Sequence, residues 1–187
     1  MGDAVGTLDV SAGWAVAAVD WLMAGCGESE VTGSVSAAAY DANGVGLGAS
    51  EVEVKKRFAS VRCQALEWKS KAADRRCDDA KIVFAGVPAR ITLYLSRDVV
   101  QAFDVRFETR DTERVATFLK KQYGAPLAET RDTIEGRDKD KKNARHIYKI
   151  RWESGHDHAV LVSETEKSRS SLLVSRGDFE EEIYRVR

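Results

Sequence analysis

Three histidines, His146, His156 and His158, and three cysteines, Cys26, Cys63 and Cys77, are the side chains of this 187-residue chain best suited to chemistry. His156-Asp157-His158 would set two imidazoles on one face of a strand. His146, on the preceding strand, would be a third candidate ligand for a transition metal, which neutral imidazole nitrogens hold well. Ser154-Gly155, however, places the pair beside a hairpin turn, where polar residues serve solvation alone. Cys63 and Cys77 have no Cys-x-x-Cys or Cys/His spacing, so a structural zinc site is not indicated. In an oxidising compartment the two would close a disulfide, and in a reducing one they would stay thiols. No Gly-x-Ser-x-Gly elbow, P-loop or dinucleotide fingerprint occurs, and the Gly-rich run Gly44–Gly48 follows no strand. The expectation is a protein without catalytic residues, metal or cofactor. Arg145, Lys149 and Arg151, interleaved with Tyr148 and Trp152, read as one alternating strand with a wet basic face, and no nucleic-acid partner is expected.

Charge divides the chain. Residues 1–54 hold eight acids and no Lys or Arg, so all 29 basic residues lie in 55–187 beside 22 of the 30 acids. Val10–Val19 is uncharged and apolar, too short to span a bilayer, where about 20 residues are needed, and matched in length to the apolar core of a signal peptide. Met23-Ala24-Gly25-Cys26 resembles the lipobox of bacterial lipoproteins. Small side chains fit a signal peptidase, and the thiol carries the diacylglycerol. The segment departs from a signal peptide in having no basic start and in carrying Asp3, Asp9 and Asp20. Gly27–Gly48, rich in Gly, Ser and Ala, reads as a flexible tether. The expected organisation is a leader over 1–25, a tether over 26–48 and one domain over 49–187.

The elements that would form this domain follow from pattern. Ser50-Glu51-Val52-Glu53 is a capping box, and Val54 and Phe58 share a helix face, so a helix is predicted over 50–59. Ile82–Phe84 is a short strand. Residues 89–95 and 99–107 alternate about Ser96-Arg97-Asp98 and predict an antiparallel hairpin. Asp111 would cap a second helix with the stripe Val115, Phe118, Leu119 and Tyr123, stopped by Gly124 and Pro126. Arg131–Asn143 reads as a charged loop, followed by strands over 145–152, 159–165, 171–176 and 179–186. Val54–Phe58 parallels Leu119–Tyr123 at an offset of 65, and Ile82–Phe84 then falls on Ile147–Lys149. The predicted fold class is therefore α+β, with two helix-plus-antiparallel-strand units (49–109 and 110–187) forming one sheet with the helices packed on one face.

Gly46-Leu47-Gly48-Ala49-Ser50, followed by the Val54/Phe58 helix and then strands, is similar to the opening of the SmpA/OmlA (BamE-like) envelope lipoproteins, a group related in architecture to β-lactamase-inhibitor-type domains. Tyr123-Gly124-Ala125-Pro126 resembles the group's Leu-Gly-x-Pro more closely than Phe58-Ala59-Ser60 does. The cysteine pair and Gly177-Asp178-Phe179 also resemble other small proteobacterial lipoproteins. The resemblance implies a non-catalytic accessory module on the periplasmic side, anchored to a membrane through Cys26, with another envelope protein as partner. The sheet face, an edge strand or Trp68 would be the contact. The competing expectation is a small cytoplasmic enzyme or metal-binding domain using His146, His156 and His158. A third is a soluble inhibitor-type binding module.

Overall fold

The computed structural model describes residues 40–134, 144–177 and 179. The chain divides into two units, Met1–Val35 and Ser36–Arg187, and every described residue belongs to the second. Cys26 and the whole leader therefore lie outside the described residues, as does most of the strand expected over 179–186.

The described elements run β1 (Asp41–Ala42), β2 (Val45–Gly46), α1 (Glu51–Arg57), β3 (Arg62–Ala65), β4 (Arg75–Phe84), β5 (Val87–Ser96), β6 (Val99–Glu108), a 3-10 turn (Thr109–Asp111), α2 (Thr112–Tyr123), β7 (Ala128–Ile134), β8 (Arg145–Ser154), β9 (Asp157–Glu164) and β10 (Arg169–Arg176). This overturns the expected fold class. The domain is mostly β: among the described residues 55% lie in strands and 18% in helix, and β3 to β10 form one antiparallel sheet, not two helix-plus-strand units. The sheet order is β3-β4-β5-β6-β10-β9-β8-β7. Part of the reason lies in Arg131–Ile134, whose charges suggested a loop but which belong to β7, and in β3 and the first half of β4, whose polar residues hid their alternation. The 65-residue offset fails on register. Ile82 faces the core at the end of β4, whereas Ile147 sits at the start of β8 on the opposite side from core residues Tyr148 and Ile150.

Residues 40–48, expected to end a tether, are instead built into the body. Asn43 and Gly44 both take positive φ, 55° and 82°, giving the tight turn that Asn-Gly favours between β1 and β2. Tyr40, Ala42, Val45 and Leu47 are buried in the main core. The Tyr123 hydroxyl donates to the Asp41 carbonyl at 2.7 Å, and the Tyr40 and Tyr123 rings lie 4.8 Å apart. Helix α1 starts on the expected capping box, with the Ser50 side chain accepting from the Glu53 amide and Glu53 accepting from the Ser50 amide. Asp111, by contrast, makes no side-chain cap bond. The Thr112 hydroxyl donates back to the Thr109 carbonyl at 2.7 Å and closes the 3-10 turn that leads into α2.

One buried cluster holds the domain together. Ile91, Leu93 and Leu95 of β5, Phe103, Val105 and Phe107 of β6, Ile150 and Trp152 of β8, Leu161 of β9 and Leu172 of β10 contribute alternate residues, as the pleat requires. Val54 of α1 and Val115 and Leu119 of α2 join the same cluster. Each such side chain contributes roughly 1.5–3 kcal/mol when fully buried. Trp152 is 1% exposed, and its indole N–H donates to the Gly124 carbonyl at 3.0 Å, so the chain leaving α2 is tied to the middle of β8.

Candidate protein-docking site

Backbone pairing ranks the side chains of the opposite, outer face in rows across the strands. One row reads Arg90 (β5), Arg106 (β6), Ser171 (β10), Val162 (β9), Lys149 (β8) and Thr130 (β7). The adjacent row reads Asp78 (β4), Thr92, Asp104, Leu173, Val160 and Arg151. The first row holds three cations and no acid. Adjacent strands lie about 4.8 Å apart, so Arg90 and Lys149 stand roughly 19 Å apart along it.

Each end of this face has its own character. At the end formed by Tyr94 and Ala102, the segment between β3 and β4 folds over the sheet: Trp68, half-buried, packs with Ala72 against a small cluster of Ala73, Tyr94, Ala102 and Phe179. Trp68 therefore covers sheet, and its remaining exposure is partial. Toward the other end two shallow grooves meet at Arg106. One, of about 300 Å3, is lined by Arg76, Asp78, Arg90, Thr92 and Tyr94. The other, of about 510 Å3, is lined by Glu166, Lys167, Arg169 and Ser171. Arg106 is held by Asp104 at 2.8 Å and Arg76 by Asp78 at 3.1 Å. Strand β7 closes one edge of the sheet, with all seven residues exposed, and β3, only four residues long, closes the other.

Cys63 and Cys77, directly opposed on β3 and β4, form a disulfide. The Cys77 side belongs to the main core. Glu51 lies close enough that its carboxylate and the two sulfurs are the one set of three potential metal ligands among the described residues. The sulfurs are committed to each other, and the carboxylate accepts ion pairs from Lys55 at 2.6 Å and Arg75 at 3.0 Å. The arrangement pins the start of α1 to β4 and offers a cation nothing.

The structure does not bring the histidines together. His146 lies opposite Thr133, and its Nδ1 is 3.0 Å from the Thr133 hydroxyl. His158 lies opposite Glu153, seven residues further along β8, which is roughly 23 Å. An odd separation also puts the two on opposite faces. His156 is exposed in the turn.

A polar cavity of about 350 Å3 opens beside the start of α2, lined among others by Thr112, Glu113, Arg131, His146, Tyr148 and Ser163. Of its lining, Thr112 and Ser163 are buried, and with Ser170, buried beside them, they are linked by contacts of 2.8–3.1 Å. Thr112 donates to the Thr109 carbonyl and Ser170 to Ser163, so the hydroxyl protons are shared among these neighbouring oxygens. Among the described residues no imidazole or carboxylate is hydrogen-bonded to these hydroxyls. Burial, and then the Glu129 carboxylate that accepts from its hydroxyl at 2.7 Å, push the Tyr148 phenol well above its usual range. Arg131 lies 4.0 Å over the Tyr148 ring and pairs with Glu113 at 2.7 Å. These groups pair with one another across the mouth of the cavity.

The alternation of residues 89–95 sets Arg90, Thr92 and Tyr94 on the side opposite Ile91, Leu93 and Leu95, but it does not show the row they join. Alternation gives the face of a residue, and only register gives its neighbours on other strands. Comparison with family models, with curated proteins and with solved structures found no match.

Proposed function

We propose that this chain is a non-catalytic protein-binding module on the periplasmic side of a bacterial envelope, held to the membrane by a lipid on Cys26. The observation that carries the binding half is the outer sheet face, which presents three cations in one row beside two open, polar-lined grooves that meet at Arg106. Specific sites for small molecules are concave and bury most of their ligand, whereas protein partners use broad, polar-rimmed surfaces. The Cys63–Cys77 disulfide supports an oxidising compartment. The lipobox-like Met23–Cys26 and the resemblance to small envelope lipoproteins support the anchor.

Position-dependent crosslinking tests the reading. A photo-crosslinking amino acid placed at Lys149 on the outer face is expected to yield a discrete adduct with a second polypeptide in cells. The same group at Val52, exposed on α1, is expected to yield none. Equal yields from both positions, or none from either, would remove the outer face as the contact surface.

A further inference from the structure

Arg90 is exposed on β5 and stands directly opposite Arg106 on β6. Like charges directly opposed across a strand pair destabilise it, so this pairing is not what a sheet optimised for stability would choose. Arg169 on β10 stands opposite Glu108 of β6, which Arg110 also pairs at 2.8 Å, and lies two residues from Ser171, the residue paired with Arg106, so that it is a diagonal neighbour of Arg106. The Arg106 guanidinium is held by the carboxylate of Asp104, which is 4% exposed, through Nε and a terminal nitrogen, both at 2.8 Å. Arg90 and Arg169 are exposed on either side, with Thr92 and Ser171 lining the same grooves. Lys149 continues the row toward β7.

We infer that this band seats an acidic segment of a partner polypeptide, with Arg90 and Arg169 as the charges that meet its carboxylates and Arg106 as the fixed charge between them. The inference rests on the protein-binding reading above and names the chemistry of the partner. Guanidinium groups in a fixed array suit carboxylates, which they can bind through paired N–H donors. The cations alternate with Asp78, Asp104 and hydroxyls, and the band presents no large exposed apolar side chain. A lipid surface needs neither that interleaving nor that order. An extended chain with spaced acids can use both.

The test uses the purified oxidised protein and a fluorescein-labelled ten-residue peptide of alternating Glu and Ser. Saturable binding at about 50 mM salt is expected, and it should weaken steeply toward 500 mM, because exposed charges are screened over about 10 Å at 0.1 M. Arg90→Thr combined with Arg169→Thr is expected to weaken it about tenfold or more, the effect of removing two charge-assisted contacts. Arg106 is left in place because it holds Asp104. The Arg90→Thr protein is expected to melt at or above the temperature of the parent, which a structural role for Arg90 would not produce. Three outcomes would each overturn the inference: no binding at low salt, equal binding by the double variant, or binding of phosphatidylglycerol vesicles in preference to the peptide. If the peptide fails while crosslinking from Lys149 persists, the acidic partner is wrong and the protein-binding reading stands.

Discussion

At the residue scale, Tyr123 shows how one side chain couples the start of the domain to its core. Its ring packs between Tyr40 and Trp152, and its hydroxyl donates to the Asp41 carbonyl. Burial first, and the Asp41 charge second, raise its phenol far above the ordinary value of 10.0. The folded protein therefore keeps a proton that the unfolded chain loses above about pH 10. The associated stability is fully present below that value and falls as pH rises beyond it. Burial moves Tyr148 and Tyr40 in the same direction. The melting temperature is accordingly expected to decline above about pH 10. Tyr123→Phe should cost about 1 kcal/mol near neutrality, the net value of one hydrogen bond, and make the alkaline decline shallower. Thermal melts of both proteins from pH 7 to 11 check this, and identical alkaline slopes would show that another group controls it.

At the element scale, the parts with strong local signals were legible and the parts defined by pairing were not. The Ser50 capping box, the β5–β6 hairpin and the burial of Val115 and Leu119 on α2 follow from their residues, whereas Phe118 of the expected stripe is exposed at 39% and packs its ring edge-on against Phe84. The β1–β2 hairpin was missed although Asn43-Gly44 is a strong hairpin signal, because small residues around it dominated the composition. β3 and β7 were missed for a common reason. Both are edge strands with mostly exposed side chains, and exposure on both faces erases the alternation by which strands are read. β3 is held by the disulfide to β4. Closing a loop of about 15 residues stabilises by roughly 3 kcal/mol in the chain-entropy model. The Cys63→Ser, Cys77→Ser double variant is expected to lose stability on that order in urea unfolding. Reduction of the parent should reproduce the loss and leave the variant unchanged. A reductant effect of equal size on both proteins would mean that the bond contributes nothing.

At the scale of the whole molecule, the outer face became visible only when register joined residues distant in sequence. Arg90, Arg106, Arg169 and Lys149 lie in four strands, and no window of sequence contains them together. The histidines fail in the opposite sense: His146 lies the length of β8 away from His156 and His158, and on the other face of the sheet from His158. The Thr112–Ser163–Ser170 hydroxyls bond to one another, Glu51 pairs with Lys55 and Arg75, and three cations share one row of the outer face; the proposed contact with another polypeptide rests on that row. The central claim adds an address to that contact: an envelope module tethered by lipid. Expression of the full chain in a Gram-negative host with a clickable fatty acid, beside Cys26→Ala, measures it directly. The account predicts label on the parent and its location in the membrane fraction, both lost in the variant. An unlabelled, cytosolic product of full mass would contradict it.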